Sequence, residues 1–174
     1  MNGNQLFNKV KAWLDRIEKP LENAIILPSK DADTFDLYMT LPNGAVRMHI
    51  LCEESTATVQ FICTFPLLVP PEKLGPVALL LHVINADLPL GAFQLYSSQR
   101  LITFRLPMAV FPGDNDHIGF AFTAAILTAD KYLRPIALSL CDTQEARSTL
   151  TGLNADAELP SAEGCSADAR FELN

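Results

Sequence analysis

The spacing of apolar residues predicts a helix at the start of the chain and a run of strands after it. Over residues 4–19 the apolar side chains recur at three- and four-residue steps, which places them on one helical face. From residue 34 onward, apolar positions alternate with polar ones in three stretches, 34–41, 46–52 and 57–65. Alternation of this kind is typical of strands with one face on a core and the other in solvent. The pattern therefore predicts a helix followed by a three-stranded antiparallel meander.

A tight turn is predicted between the first two of these strands. The segment LPNGAV, residues 41–46, contains Asn43 and Gly44. These residue types adopt the positive φ angles that a two-residue hairpin needs. We therefore expect both residues to have positive φ.

The second half of the chain is predicted to contain two more helices and a hairpin. Residues 71–87 begin at a proline pair and then carry apolar residues at helical steps. Residues 92–96 and 100–106 are two short strands joined by the turn SSQ. A last apolar face starts at Ile118 and predicts a third helix, which ends near Arg134-Pro135 or kinks there and continues to Leu140.

The resulting order, α-β-β-β-α-β-β-α, predicts an α+β fold in which an antiparallel sheet has its helices packed on one face. Residues 1–141 are expected to form one domain, because a chain of this length can bury a core without metals or disulfides. Residues 142–174 consist mostly of small, polar and acidic residues, and we expect a disordered acidic tail. One hypothesis is that this tail folds back over the domain and competes with a partner or limits aggregation.

Composition and charge narrow the class of partner. Hydrophobic residues make up 49% of the chain and charged residues 19%. An average soluble domain has roughly 25% charged residues, so we expect a protein partner to cover part of this surface. The formal charge is −7; the tail carries −5, from seven acids and two arginines, which leaves −2 for residues 1–141. An acidic body without a basic cluster does not favour nucleic acid as a partner.

The sequence lacks the common catalytic, cofactor and metal motifs. Its four cysteines, Cys52, Cys63, Cys141 and Cys165, show neither a CxxC pair nor zinc-finger spacing. The phosphate-binding loops GxxxxGK[ST] and GxGxxG, the GxSxG elbow and the HExxH helix are missing as well. Its longest weakly polar run is shorter than the roughly 20 residues needed to cross a bilayer. We therefore expect a cytoplasmic, non-enzymatic protein without cofactor, metal or membrane span.

The polar residues in HVINADLPLGAF, residues 82–93, invite either a structural or a catalytic interpretation. Asn85 falls in the last turn of the second helix, where its amide can bridge to the following loop. Gly91 permits a close approach or an unusual φ, and Phe93 points into the core. We favour a structural seam over an active site. His82 is expected to be partly buried near a dimer interface rather than a metal ligand or general base.

The segment PGDNDHIG, residues 112–119, resembles a calcium loop at first sight. If Asp114 opened an EF-hand loop, the twelfth position would be Ala125, where a bidentate glutamate belongs. Capping of the third helix by Asn115 or Asp116 accounts for the same polar residues, and we favour it.

The motifs in this order resemble those of the YbjN family, whose members have the type III secretion chaperone-like fold. The resemblance is carried by LPNGAV, VPPEKLGPVALLLHVIN, NADLPLGAF, ITFRL and the helix end DKYLRP, and covers roughly residues 5–140. It implies a small α+β domain that tends to form homodimers and presents apolar sheet or helix surface to a partner. Secretion chaperones of this shape bind extended segments of client proteins without nucleotide, and some YbjN-like proteins are described as sensory transduction regulators. The resemblance implies no catalytic residue.

We therefore expect a non-catalytic protein-binding module, chaperone-like or a regulatory adaptor, that acts as a homodimer and binds an unidentified protein partner. The candidate partner-binding face consists of outward residues of the meander: Tyr38, Arg47, His49, Leu51 and Ile62. An ordinary solvated strand face is the alternative interpretation of the same residues.

Two other functions remain open from the sequence. One is a small-molecule sensor or an uncharacterised enzyme with a pocket between the second helix and the sheet, lined by Asn85, His82 and Tyr96. The other, ranked last, is peripheral membrane association through basic residues of the first helix, which Asp15 and Glu18 dilute.

Overall fold

The computed structural model describes residues 5–17, 24–28, 33–111 and 116–141 of the 174-residue chain. The elements, in chain order, are α1 (Gln5–Ile17), β1 (Ala24–Pro28), β2 (Thr34–Leu41), β3 (Gly44–Glu53), β4 (Thr58–Leu68), a 3₁₀ turn (Pro71–Lys73), α2 (Leu74–Asp87), β5 (Ala92–Tyr96), β6 (Leu101–Ala109) and α3 (Asp116–Ser139). The predicted tail, residues 142–174, lies outside the described residues.

The described strands form one antiparallel sheet in the order β1-β2-β3-β4-β6-β5. The predicted α+β class is confirmed, and the five predicted strands occur in the predicted order. The sheet also contains β1, which the sequence analysis missed. Its sequence AIILP is a short continuous apolar run ending in proline, so it has no alternation to mark it as a strand. β1 occupies one edge of the sheet and β5 the other.

Helices α1 and α3 pack on one face of the sheet, which we call the inner face. Phe122 of α3 makes edge-on contacts with Trp13 of α1 and Phe61 of β4, with ring centroids 4.9 and 6.2 Å apart. The inner face is made of buried side chains at alternate strand positions, among them Phe35, Leu37, Met39, Met48, Ile50, Phe61, Cys63 and Phe104. The core therefore lies between the central strands and these two helices, as predicted.

The ends of α2 and α3 are shaped by prolines. Pro71 opens a separate 3₁₀ turn before α2, and Pro76 lies in the first turn of α2, where a missing N–H breaks no helical hydrogen bond. Helix α3 continues through Pro135 to Ser139, the longer of its two predicted ends. Helix α2 packs against β5 through a buried stripe formed by Val77, Leu81 and Ile84.

The hairpin between β2 and β3 differs from its prediction. Leu41 pairs with Gly44, so the two turn residues are Pro42 and Asn43. Gly44 has a φ of +145°, but Asn43 does not have the positive φ expected of it. The physical reason is Pro42, whose ring fixes its φ near −65° in the first turn position and so excludes the type I′ turn, in which both turn residues have positive φ.

Side chains fasten the hairpin and α1 to the rest of the domain. The backbone N–H of Asn43 donates to Asp130 Oδ1 of α3 at 2.9 Å. Glu54, in the turn after β3, accepts hydrogen bonds from the backbone N–H groups of Leu6 at 2.7 Å and Phe7 at 3.1 Å. These N–H groups have no partner within the helix, and a carboxylate at a helix N-terminus also interacts favourably with the helix dipole. Both contacts fix a helix on the sheet.

Candidate functional site

The five residues of the predicted partner-binding face lie on the side of the sheet opposite α1 and α3. Tyr38 pairs with Arg47, and His49 pairs with Ile62, while Leu51 follows on the same face of β3. We call this side the outer face and define it by Asp36, Tyr38, Arg47, His49, Leu51, Gln60, Ile62, Thr64, Thr103 and Arg105. Most of its side chains are partly accessible, and Tyr38, for example, is 43% exposed; Gln60 and Thr103 are buried.

A charged cluster is centred on Asp36, a residue that the sequence analysis did not single out. Its Oδ1 accepts hydrogen bonds from Arg47 Nε at 3.1 Å and Nη2 at 3.0 Å, and lies 2.9 Å from His49 Nδ1. The Arg47 guanidinium also lies 5.6 Å from the centre of the Tyr38 ring. In the β2–β3 register, Asp36 pairs with His49 and Tyr38 pairs with Arg47. The alternating polar residues of these two neighbouring strands were the sequence feature that could have predicted the cluster.

The cluster makes the Asp36 carboxyl a stronger acid. Burial alone would raise its pKa, but hydrogen bonds from His49 and Arg47 and their positive charges outweigh burial and hold the pKa below its ordinary value of 3.8. Because the folded pKa is the lower one, the cluster stabilises the fold at neutral pH, and that contribution disappears as the pH falls below 3.8. At neutral pH the carboxylate therefore holds Arg47 and His49 in fixed orientations.

An apolar groove adjoins this cluster at the end of the sheet that carries the β2–β3 hairpin. It has a volume of about 420 Å³, and Arg47 is the charged residue in its lining. Its outer-face lining consists of Ile25, Tyr38, Thr40, Ala45, Arg47, Thr64, Pro66 and Leu101. Tyr38 and Arg47 were predicted from the sequence, but Ile25 and Leu101 were not. The order of the strands brings β1 and β6 to this surface, and that order is not visible in the sequence.

A second, more polar pocket of about 440 Å³ lies on β5 and β6 and is lined by Gly91, Ala92, Gln94, Arg105 and Pro107. Arg105 donates through Nε to Gln60 Oε1 at 2.7 Å, and its Nη2 donates to the same oxygen. Gln60 is only 8% exposed, and its amide nitrogen lies 3.5 Å from Glu53 Oε2. The sequence analysis missed Arg105, whose orientation depends on a residue 45 positions away in the chain.

The predicted seam residues come together at the edge of the sheet. Asn85 Nδ2 donates to the carbonyl oxygen of Phe93 at 2.9 Å, and the N–H of Phe93 donates to Asn85 Oδ1 at 2.7 Å. Phe93 faces Phe104 of β6 on one side, so its bonds to Asn85 point away from the sheet. The amide thus occupies the place of a further strand. Gly91 has a φ of +74°, and a Cβ there would lie 2.5 Å from Phe104 Cζ.

His82 is exposed on α2 of the single chain, so its partial burial near a dimer interface stays a prediction. The helical period explains this: Val77, Leu81 and Ile84 face β5, and position 82 points away from that stripe. The predicted pocket partners of His82 are engaged elsewhere, since Asn85 binds Phe93 and Tyr96 bonds to Gln94 at 3.1 Å.

The calcium-like segment is only partly described. Residues 112–115 and the side chain of Asp116 lie outside the described residues, so capping by Asn115 or Asp116 stays a prediction. His117 is exposed at the start of α3. Over the described ranges, no three His, Cys, Asp or Glu side chains are grouped so as to hold a metal ion.

The described cysteines are free and fall into two classes. Cys52 and Cys63 are buried, whereas Cys141 is exposed; Cys165 lies outside the described residues. Burial raises the pKa of Cys63 to about 12. Burial, followed by the charges of Glu54 and Asp33, raises the pKa of Cys52 to about 12. Since the thiolate is the reactive form, both buried thiols are inert at neutral pH.

A thiol-specific reagent is therefore expected to modify Cys141 in the folded protein and to reach Cys52 and Cys63 only after unfolding. The measurement is mass spectrometry of the modified peptides with and without urea. The Cys141→Ser variant is the control, and its described residues should show no modification before unfolding. Modification of Cys52 or Cys63 in the native protein would contradict the burial of these two thiols.

None of the helices in the described ranges combines the length and apolarity needed to cross a membrane.

Comparison with known proteins places the chain in a family. Its residues 13–137 match the YbjN model, described as "Putative bacterial sensory transduction regulator". No curated protein matches the sequence significantly. Among solved structures, YbjN from E. coli, a proposed transcription regulator, is 16% identical, with a TM-score of 0.47 over 72% of this chain and 91% of that one. The heterodimeric ExoU-SpcU complex of the Pseudomonas aeruginosa type III secretion system contains a chain that is 15% identical, with a TM-score of 0.48 over 73% of this chain and 96% of that one.

Because the family model spans more than half of the sequence, this chain belongs to the YbjN family.

Proposed function

We propose that this protein is a non-catalytic, protein-binding module of chaperone-like or regulatory-adaptor type that holds an extended apolar segment of another protein on its outer face. We further propose that it works in the cytoplasm as a homodimer. The observation that carries the proposal is the apolar groove beside the oriented Arg47 and Tyr38 on a sheet face that α1 and α3 leave open. Tyr and Arg are the residue types that contribute most to binding at protein interfaces.

The shape of the outer face suits an extended segment better than a globular surface. The groove runs across strands from Ile25 on β1 to Leu101 on β6, so it presents a row of small apolar contacts. An extended polypeptide offers alternate side chains to such a row and keeps its polar backbone available for the groups at the border. Asp36 fixes the orientation of Arg47 in advance, which reduces the conformational entropy lost on binding.

Membership of a family described as sensory transduction regulators supports a regulatory role rather than catalysis. The polar side chains also support this. The cluster of Asp36, Arg47 and His49 lies on an open face, whereas catalytic groups usually converge in a concave pocket with perturbed acids, bases and a nucleophile.

The double substitution Leu51→Asp and Ile62→Asp is expected to weaken partner binding at least about tenfold, because it places two charges on the outer face next to the strands that line the groove. A partner captured from native cells with the full-length protein would be purified, and its Kd for each variant measured by titration calorimetry. Thr123→Asp with Leu127→Asp, on the exposed side of α3, adds the same charge and is the matched control. Equal affinities of both double variants, with circular dichroism showing both folded, would exclude the outer face.

The surface proposed for the homodimer is the exposed side of α2. The helix LGPVALLLHVINAD is apolar almost all round, and Asp87 at its end is its only acidic residue. Its exposed positions are Gly75, Pro76, Ala78, Leu79, His82, Ala86 and Asp87, and Leu79 is 64% exposed. A helix that is apolar on all sides is normally buried on all sides. A second copy of the helix would bury this one.

Leu79→Glu is expected to convert the dimer to a monomer, because it places two like charges at a twofold contact. Sedimentation velocity at micromolar concentration measures this directly. Leu127→Glu, at an equally exposed leucine of α3, is the control and should leave the mass unchanged. A wild-type protein that sediments as a monomer at all concentrations would contradict the dimer proposal.

A small-molecule sensor is the second candidate function. The groove of about 420 Å³ falls within the size of ordinary ligand pockets, and its lining is mostly apolar with a few polar groups. A molecule retained through purification and identified by mass spectrometry, with binding lost in Tyr38→Ala, would favour this function.

A further inference from the structure

The outer face carries two arginines, and their partners differ. Arg47 is paired with the Asp36 carboxylate. Arg105 instead donates to the neutral amide oxygen of Gln60, and among the described residues no carboxylate lies within ion-pair distance of it. Arginine has five N–H donors, so this contact fixes the plane of the guanidinium and leaves donors and charge available. Arg105 is therefore oriented but not neutralised by direct contact.

The surroundings of Arg105 form a receptor for an acidic group. The pocket of about 440 Å³ between Gly91, Gln94 and Arg105 opens on the outer face. Thr103, which pairs with Gln94, is 6% exposed, and its hydroxyl has no partner within the described part of the chain. A guanidinium that is held in one plane binds a carboxylate through two parallel hydrogen bonds. The ligand chemistry that fits is a carboxylate on a flexible segment.

Residues 142–174 of the chain itself contain seven acidic side chains. Its described part ends at Cys141, directly after α3, where Lys73 Nζ donates to the carbonyl of Leu140 at 2.9 Å. Lys73 follows β4 closely, and Leu68 at the end of β4 pairs with Leu101 at the start of β6. The C-terminal segment therefore starts at the end of the sheet where β6 begins, and β6 is the strand that carries Arg105.

Length and charge both favour this segment as the ligand. Residues 142–174 number 33 and carry seven acids and two arginines, a net charge of −5. Fully extended, they reach on the order of 100 Å, several times the length of β6. A tether of this length gives an effective concentration in the millimolar range.

We propose that Arg105, oriented by Gln60, binds a carboxylate of the chain's own residues 142–174, so that this segment lies across the outer face. Bound there, the segment competes with the protein partner. The competition rests on the proposed function, but the intramolecular contact does not, so the two can fail separately.

The test uses the full-length protein with a nitroxide spin label on Cys165. In a Cys141→Ser background the label goes to Cys165, because Cys52 and Cys63 are buried. The amide NMR signals of Gln94, Thr103 and Arg105 are expected to broaden, whereas those of α1 are not. About 1 M salt, where the screening length is about 3 Å, is expected to remove the broadening.

Two variants decide whether Arg105 is responsible. Arg105→Gln should abolish the broadening, and Arg16→Gln, an exposed arginine of α1 that loses the same charge, should leave it intact. A second variant leaves the described domain untouched. In it, four acids of residues 142–174 are changed to their amides, and the broadening should also disappear; the four are Glu158, Glu163, Asp168 and Glu172. Broadening that survives both the Arg105 variant and the amide variant would overturn the proposal.

A mixed sample separates the chain's own segment from that of a second copy. Isotope-labelled protein without nitroxide is combined with unlabelled, nitroxide-bearing protein. Broadening only in the sample whose chains carry both the isotope and the nitroxide supports the proposal. Equal broadening in the mixture assigns the contact to another copy of the chain and overturns the proposal. If partner affinity then rises in Arg105→Gln, the competition is supported; unchanged affinity removes the competition and leaves the contact.

Discussion

Replacing Gly91 by alanine is expected to lower the free energy of unfolding by about 3 kcal/mol, since overpacking and a left-handed φ each cost about 1–3 kcal/mol. The residue has a φ of +74°, which side chains other than hydrogen adopt at a cost. A Cβ would lie 2.5 Å from Phe104 Cζ and 2.8 Å from the carbonyl oxygen of Arg105. The ring and the backbone belong to the central part of β6, so neither can move away without disturbing the sheet.

Urea unfolding followed by circular dichroism measures this loss. Gly75→Ala is the matched control, because Gly75 lies in α2 and a Cβ there meets nothing within 4 Å. We expect the control to be as stable as the wild type or up to about 1 kcal/mol more stable, because alanine favours a helix over glycine. Equal stabilities of Gly91→Ala and Gly75→Ala would show that the chain does not pass β6 as closely as described.

Replacing Asn85 by alanine is expected to lower the free energy of unfolding by about 2–3 kcal/mol, because two hydrogen bonds to the backbone of Phe93 are lost together. The N–H and carbonyl of Phe93 then stand unpaired at the edge of the sheet. Unpaired edges promote association with other strands, so we also expect the variant to self-associate.

Urea unfolding and light scattering as a function of concentration measure the two effects of this substitution. Thr123→Ala, at an exposed position of α3 outside the proposed dimer surface, is the control and should change neither quantity. A loss below about 0.5 kcal/mol in Asn85→Ala would mean that water or another group replaces the amide, and that the edge is protected in some other way.

The fold was predictable from the sequence wherever apolar residues recur with the period of a helix or a strand. Alternation in residues 34–41 and helical spacing in residues 4–19 both identified elements that the structure contains. The continuous apolar run of β1 has neither period, so nothing local distinguished it from a loop or a buried helix segment. At the hairpin, Pro42 determined the turn, and the familiar Asn-Gly pair was a misleading signal.

The candidate site was only partly predictable, because its parts come from different strands. Alternation identified which residues of the meander point outward, including Tyr38 and Arg47. It gave no indication that β6 lies beside β4 rather than beside β5 alone, and so it missed Arg105 and Leu101. The position of His82 on the helix surface was not predictable for a related reason: only the packing of α2 on β5 shows which helical face is covered.

The most direct test of the central claim is photo-crosslinking in native cells with a benzophenone amino acid in place of an exposed aromatic residue. Tyr38, on the outer face, is 43% exposed, and Phe120, on α3, is 63% exposed, so the two positions form a matched pair. We expect a discrete crosslinked protein from position 38 that disappears in the Leu51→Asp, Ile62→Asp background, and none from position 120. A discrete adduct from position 120 with none from position 38 would contradict it.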